Sequence, residues 1–167
     1  MSERYRAAAV VEPDTMKLCQ SARILNGKAI APVRASVIAF DGLDEDGRVT
    51  NVLLCLQRAF EMLLKAALAQ GGASMLDKKT GKSIGLEKAI NLAQGDEKIK
   101  LGANEAAPIR TIDAMRDEEQ HWYSVVDEAI LYMHVRPGVT LFDDFFIARV
   151  REAPGQSLTA ASSPDWR

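Results

Sequence analysis

Between Val49 and Gln70 the apolar positions do not keep to one side of a helix; they nearly encircle it. At about 100° per residue, Asn51, Arg58, Glu61 and Lys65 fall within one arc of about 80°, and almost every other position is apolar. A helix apolar around that much of its circumference must be surrounded by other helices, so it is predicted to be central. Gly71-Gly72 closes it. The polar arc reads as a solvated stripe, or as a functional surface if it faces a cleft. Glu61 and Lys65, four apart in the favourable order, contribute a few tenths of a kcal/mol if exposed.

The flanking segments carry shorter periodic runs. Pro13-Asp14 looks like a helix start with Asp14 as N-cap, and Asn26-Gly27 like its left-handed end. Pro32 to Phe40 is ambiguous between a strand and a helical turn. Residues 41–47 read as a polar loop, and 73–85 as an excursion that turns back at Thr80-Gly81. Leu86 to Ala93 has a short helical pattern, and Gly95 to Gly102 a polar link. From Pro108 the spacing of Ile112, Met115, Trp122, Val126, Ala129, Ile130 and Met133 predicts one helix ending near Arg136-Pro137-Gly138. That helix would have about 28 residues and a length of about 42 Å. Thr140 then caps a last helix, with Asp143 completing a capping box. Four or five helices and no convincing strand set predict an all-α, antiparallel bundle. The expected organisation is a flexible arm over 1–12, one helical domain over 13–151 and a disordered tail over 152–167.

Composition changes this picture little. The 167 residues suit one domain with a real core, and 47% hydrophobic with 26% charged residues is ordinary for a soluble globular chain. A formal net charge of -2 supplies no overall basic field, so a nucleic-acid partner has to be met by a local patch. Cys19 and Cys55 lack metal-type spacing. The N-terminus lacks the apolar region of a signal peptide, and Arg58, Glu61 and Lys65 interrupt the most apolar segment, so a cytoplasmic, non-membrane protein is expected. Gly81-Lys82-Ser83 suggests a phosphate loop, but that motif needs a glycine at position 76, which is Leu76. Lys78, Lys79 and Lys82 remain as a basic cluster.

The candidate chemistry lies in Arg116-Asp117-Glu118-Glu119-Gln120-His121-Trp122-Tyr123. An arginine and a histidine beside a phosphodiester can cleave RNA without a metal or cofactor. Histidine moves the proton of the 2′-OH or of the leaving 5′-oxygen, and arginine stabilises charge on the phosphoryl oxygens. No carboxylate cluster with histidine partners suggests a metal-assisted route. Five residues of helix rotate about 500°, so Arg116 and His121 point about 140° apart. One straight helix cannot aim both at one phosphate unless the long arginine folds back or a second copy contributes; two protomers facing each other across this helix would resolve that, so the chemistry implies a homodimer. Asp117 is four residues from His121, in reach to orient the imidazole. The bland alternative is a solvated helix face with His121 at its rim. His134, near the predicted end of the long helix, reads as a partner of the helix dipole, and Trp122 as core.

Arg116-x4-His121 in a late helix, after an early helix bearing Phe60-Glu61-Met62-Leu63-Leu64-Lys65-Ala66, resembles the HEPN superfamily over about residues 48–147. Arg48 to Ala69 and Arg110 to Tyr123 look most like a bacterial HEPN family of unknown function. The resemblance implies a helical bundle and, in many members, a metal-independent endoribonuclease of toxin–antitoxin, anti-phage or CRISPR systems. It would make Arg116 and His121 the catalytic pair, with RNA as substrate, and Glu61 the polar residue that the first core helix supplies near the site; Lys65 and Asp117 are further supporting candidates. Tyr123 extends the motif to the Arg-x4-His-x-Tyr form of HepT-like toxins, in which a partner nucleotidyltransferase antitoxin modifies the tyrosine. The chain departs from that form at Asp117, where Asn is usual, and Asp117-Glu118-Glu119 sets three acids beside the phosphate position. The alternative within the same resemblance is a non-catalytic homodimeric module that binds RNA, a nucleotide or a partner protein.

Overall fold

A computed structural model describes residues 18–42, 47–121 and 127–150, and the side chain of His121 lies outside that description. The arm, the tail, Asp14, Trp122 and Tyr123 also fall outside it. The described chain is all-helical: α1 (Gln20–Asp41), α2 (Arg48–Gln70), α3 (Leu86–Gly95), α4 (Ala103–His121) and α5 (Glu128–Arg149). Among the described residues there is no strand, only a single antiparallel bridge between Leu76 and Ser83.

As its pattern predicts, α2 is the central helix and packs against each of the other four. From Met62 to Leu68 every residue is buried, so solvent reaches no side of it there. Its neighbours can be placed from single contacts. Cys19 at the start of α1 donates its backbone N–H to Gln70 Oε1 at the end of α2 (2.8 Å), so α1 and α2 run antiparallel. Thr50 near the start of α2 meets Glu119 near the end of α4, which is antiparallel again. Arg48 meets Glu128 at the starts of α2 and α5, and Phe60 meets Phe142 further along, so those two run parallel.

α1 is longer than the chain pattern suggests and starts later. Its N-cap is Cys19, whose Sγ accepts from the Ala22 N–H, and the helix runs through Asn26-Gly27 and Pro32 to Asp41. Packing overrides both breakers: Ala22, Asn26, Ala29, Val33 and Ser36 recur at 4-3-4-3 spacing and are all buried, forming one continuous seam against α2. Their small side chains let the two backbones approach closely. Proline in the interior costs about 3 kcal/mol, which the seam offsets. The ambiguous run Pro32 to Phe40 is therefore helix.

The single long helix expected from Pro108 is two helices. α4 ends at His121 and α5 starts at Glu128, where Asp127 Oδ1 accepts the Ala129 N–H at 2.7 Å. That N-cap went unread because Val126, Ala129, Ile130 and Met133 continue the earlier spacing across it. The phase then shifts: Leu131, Val135, Gly138, Phe142, Phe145 and Phe146 face inward, whereas Ile130 and Met133, expected inside, are exposed.

Pro137-Gly138 does not end α5 either, and Thr140 caps nothing; its hydroxyl donates to the Arg136 carbonyl inside the helix. A Cβ on Gly138 would lie 3.0 Å from Ile112 Cδ1 and 3.2 Å from Leu56 Cδ2, so glycine is there for close approach to α2 and α4. His134 accordingly sits in the first half of α5, and the C-terminal dipole argument does not apply to it.

Two glycine substitutions test this layout. Gly27→Ala, with nothing within 4 Å of the new Cβ, should raise stability by about 0.5–1 kcal/mol. Gly138→Val should lower it by at least about 2 kcal/mol through overpacking against two buried side chains. Urea unfolding checks both; a loss at Gly27→Ala would mean that α1 breaks at Asn26-Gly27.

Candidate functional site

Arg116 lies one and a half turns before the end of α4, on the edge between the buried Met115 face and solvent. Its side chain is 22% exposed, and helical neighbours on either side hold the guanidinium. Asp113 Oδ1 lies 3.3 Å from Nη2, Asp117 Oδ1 2.9 Å from Nη1, and Gln120 Oε1 accepts from Nη1 at 3.1 Å. Arg116 Nε is buried and has no hydrogen-bond partner among the described residues. The i−3 and i+4 neighbours are ordinary helical pairs, and Asp117 at i+1 completes the cage from the same helix. Sequence reasoning missed Asp113, although its three-residue offset from Arg116 is the ordinary helical pairing distance.

Asp117 places a carboxylate oxygen on Arg116; the imidazole that it is expected to orient lies outside the described residues. Glu119 accepts a hydrogen bond of 2.5 Å from Thr50 Oγ1 and thereby ties the end of α4 to the first turn of α2. Glu118 is exposed. Thr50, which no motif singles out, thus bonds an α2 hydroxyl to the octapeptide. Tyr123 lies outside the described residues, as does the imidazole of His121.

Glu61 and Lys65 meet each other rather than Arg116. Thr50 pairs with Glu119, and Leu56 and Ile112 both face Gly138, so α2 and α4 share one register. In that register Arg116 is level with Leu53. Glu61 is eight residues further along α2, about 12 Å away along the axis.

There Lys65 Nζ donates to Glu61 Oε1 at 2.5 Å and to Ser83 Oγ at 2.9 Å. Lys65 is only 3% exposed, so the polar arc of α2 is solvated at Asn51 and Arg58 and then dives beneath the 73–85 excursion. The pair is part-buried, with Lys65 inside and Glu61 at the rim where Arg58 also lies 3.5 Å from its carboxylate, not the exposed helix pair that its spacing suggests. Ser83 beside Lys65 has the spacing of a serine–lysine nucleophile pair. A carboxylate at 2.5 Å from the ammonium, however, removes the unpaired amine that such a base requires.

The excursion that carries Ser83 is shaped by Asp77. Its Oδ1 accepts the backbone N–H of Lys79 at 2.8 Å and of Thr80 at 3.2 Å, and its Oδ2 pairs with Lys88 of α3. Met75 accepts from the Ile84 N–H, and Gly81 takes the left-handed conformation at the turn (φ 65°). The Lys88 side chain first, then the two N–H groups, lower the Asp77 carboxyl from its ordinary 3.8 to about 2. On α4, Arg110 forks onto Glu87 and also reaches Asn91 and Gln94, fastening α3 to α4 and holding the Glu87 carboxyl below its usual range.

Among the described residues no three His, Cys, Asp or Glu side chains are grouped to hold a metal, and no helix is long and apolar enough to cross a membrane. Comparison with models of protein families, with curated proteins and with solved structures found no match.

Two outcomes are expected. Lys65→Met should cost about 3 kcal/mol because Glu61 is left without its buried partner, and adding Glu61→Gln should recover at least half. An equal cost for single and double variants would show that the pair is not what holds Lys65. Because the folded Asp77 carboxyl is depressed, its ordering of the turn is present above the ordinary carboxylate range and is lost as pH falls through about 2. Carbon NMR titration should find a midpoint near that value, rising toward 3.8 in Lys88→Met.

Proposed function

We propose that this chain is a HEPN-like helical module that cleaves RNA without a metal, with Arg116 gripping the scissile phosphate and His121 moving the protons. The observation that carries the reading is the state of Arg116. It is half-sunk near the end of α4, five residues before His121, and its guanidinium is fixed by Asp113, Asp117 and Gln120. A charged fork that is already oriented loses little freedom on gripping a phosphate, which is what charge stabilisation on a phosphoryl oxygen requires. His121 takes the proton of the ribose 2′-OH as that oxygen attacks phosphorus. A proton then goes to the departing 5′-oxygen, leaving a cyclic phosphate and a 5′-hydroxyl. α4 is helical from Arg116 to His121, so the rotation of about 140° between them stands. One phosphate is then served by the arginine of one copy and the histidine of another, in a homodimer. The resemblance gives the setting: a cytoplasmic toxin or anti-phage factor, with a nucleotidyltransferase antitoxin acting at Tyr123 if the HepT-like form holds. Glu61 and Lys65 support the bundle under the site rather than the phosphate.

The same cage favours a second reading, a non-catalytic module that binds RNA, a nucleotide or a partner protein. Two carboxylates on one guanidinium compete with any phosphate, and an incoming RNA has to displace them.

Incubating purified protein with mixed RNA in EDTA separates the two. Cleavage should persist in chelator, fall about 10²–10⁴-fold in His121→Ala and about 10²–10³-fold in Arg116→Ala. Asp117→Asn, which takes one carboxylate off Arg116, should tighten RNA binding several-fold. RNA retained but never cut by the wild type selects the second reading; neither bound nor cut, it sinks both.

A further inference from the structure

Fifteen residues, 71–85, join α2 to α3, where packed helices are ordinarily joined by about two to eight. The base of this excursion has a packing role: Ser83 Oγ accepts from the Lys65 ammonium at 2.9 Å, and Ile84 is buried. The tip has none. Every residue from Lys78 to Lys82 is exposed, and covering Lys65 does not require them.

The tip is nevertheless a built turn. Asp77 Oδ1 accepts the N–H groups of Lys79 and Thr80, and Thr80 Oγ1 accepts that of Lys82. The Gly81 N–H donates to the Asp77 carbonyl at 2.8 Å, and the Asp77 N–H to the Lys82 carbonyl at 2.7 Å. Asp77 Oδ2 pairs with Lys88 and so pins the turn to α3. Asp77 is the only acid between residues 73 and 85, and its carboxylate is fully engaged. Lys78, Lys79 and Lys82 remain: three ammonium groups within five residues, with no ion-pair partner among the described residues. The cations nearer the candidate site are held by carboxylates: Arg58 and Lys65 by Glu61, Arg110 by Glu87, Arg116 by Asp113 and Asp117.

The turn lies on the side of the bundle toward which Arg116 leans. Around α4, Gln120, Asp113 and Asp117 are about 40°, 60° and 100° from Arg116 in one sense. Arg110 is about 120° from it in the same sense and reaches Glu87 of α3. The caged guanidinium is thus turned toward the α3 side, where Lys88 anchors the turn. Arg110 is six residues, about 9 Å, from Arg116 along the axis, and α3 adds its own width, which puts the turn on the order of 20 Å away.

We propose that the 77–82 turn is a second phosphate grip for RNA, holding the strand a few nucleotides away from the phosphate at Arg116. This rests on the reading of the chain as an RNA binder, catalytic or not. Lysines are point charges that meet backbone phosphates without reading bases, so the grip is indifferent to sequence. A turn fixed by its own hydrogen bonds loses little freedom on binding. Its one exposed large apolar side chain, Leu76, is too little for the turn to lie in a lipid interface. A formal net charge of -2 gives the whole chain no attraction for a polyanion, so a patch of this kind has to supply it.

Fluorescence anisotropy with a short single-stranded 2′-O-methyl RNA of mixed sequence tests this, because that RNA lacks the free hydroxyl and cannot be cut. The triple variant Lys78→Gln, Lys79→Gln, Lys82→Gln should keep its helical circular dichroism spectrum and bind at least about tenfold more weakly at about 50 mM salt. Its plot of log affinity against log salt should be shallower by about 2, three phosphates at about 0.7 each. Lys28→Gln, Lys98→Gln, Lys100→Gln removes the same charge from exposed positions elsewhere and should bind like the wild type. A turn variant that binds as well as a binding wild type overturns this proposal and leaves the RNA reading standing. No binding by the wild type overturns both. Equal weakening in the two triple variants assigns the attraction to overall charge and overturns the role of the turn. So does a turn variant that keeps its RNA affinity but no longer binds vesicles of anionic lipid.

Discussion

The constraint on which everything else depends is that α2 has no face it can leave in water over its second half. From Met62 to Leu68 each residue is buried, and the helix satisfies this by collecting a different partner on each side: α1 through a seam of small residues, α3, α4, and α5 through Phe142. The one charge within that stretch, Lys65, is tolerated because Glu61 lies on its own helix one turn away and Ser83 is carried over it. The 73–85 excursion, its Asp77-centred turn and the Lys88 anchor on α3 are arranged around that requirement. A buried ammonium left without a carboxylate and a hydroxyl would cost several kcal/mol.

The second consequence concerns the ends of the helices. At one end of the bundle α2 begins, α4 ends and α5 begins, and the first turn of α2 holds both neighbours by polar contacts: Thr50 to Glu119, Arg48 to Glu128. At the other end Arg149 closes α5 onto α4 by pairing with Glu105 while donating to the Ile99 carbonyl. Arg116 belongs to the first end, and its cage of Asp113, Asp117 and Gln120 is local to α4. The proposed chemistry therefore needs no change in the bundle, only exchange of carboxylates for a phosphate on one guanidinium.

What was legible in the chain follows from where tertiary packing could outvote local preference. α2, α3 and the turn at Thr80-Gly81 were legible because pattern and breakers agree there. α1 was not, since Asn26-Gly27 and Pro32 are strong stop signals and only the close fit to α2 overrules them. The division of the long helix was hidden for the opposite reason. Asp127 is an ordinary N-cap whose neighbours happen to keep helical phase. At the candidate site the residue identities gave Arg116 its helical neighbours, but not their choice of partner. Asp117 is in reach of both His121 and Arg116 by spacing, and its contact with Arg116 is visible only in the side-chain geometry.

The parallel contact between α2 and α5 has a consequence on the timescale of synthesis. Arg48 and Glu128 are 80 residues apart in the chain. At about 5–20 residues per second, α2 is made some 4–16 s before α5 begins to appear. α1 is present by then and can cover one flank, and α3 and α4 follow in turn. The side that will hold Phe142 must wait. For those seconds the helix with the most buried residues among those described is a sticky, half-dressed surface, and the burden of keeping it apart from its neighbours falls on the cell.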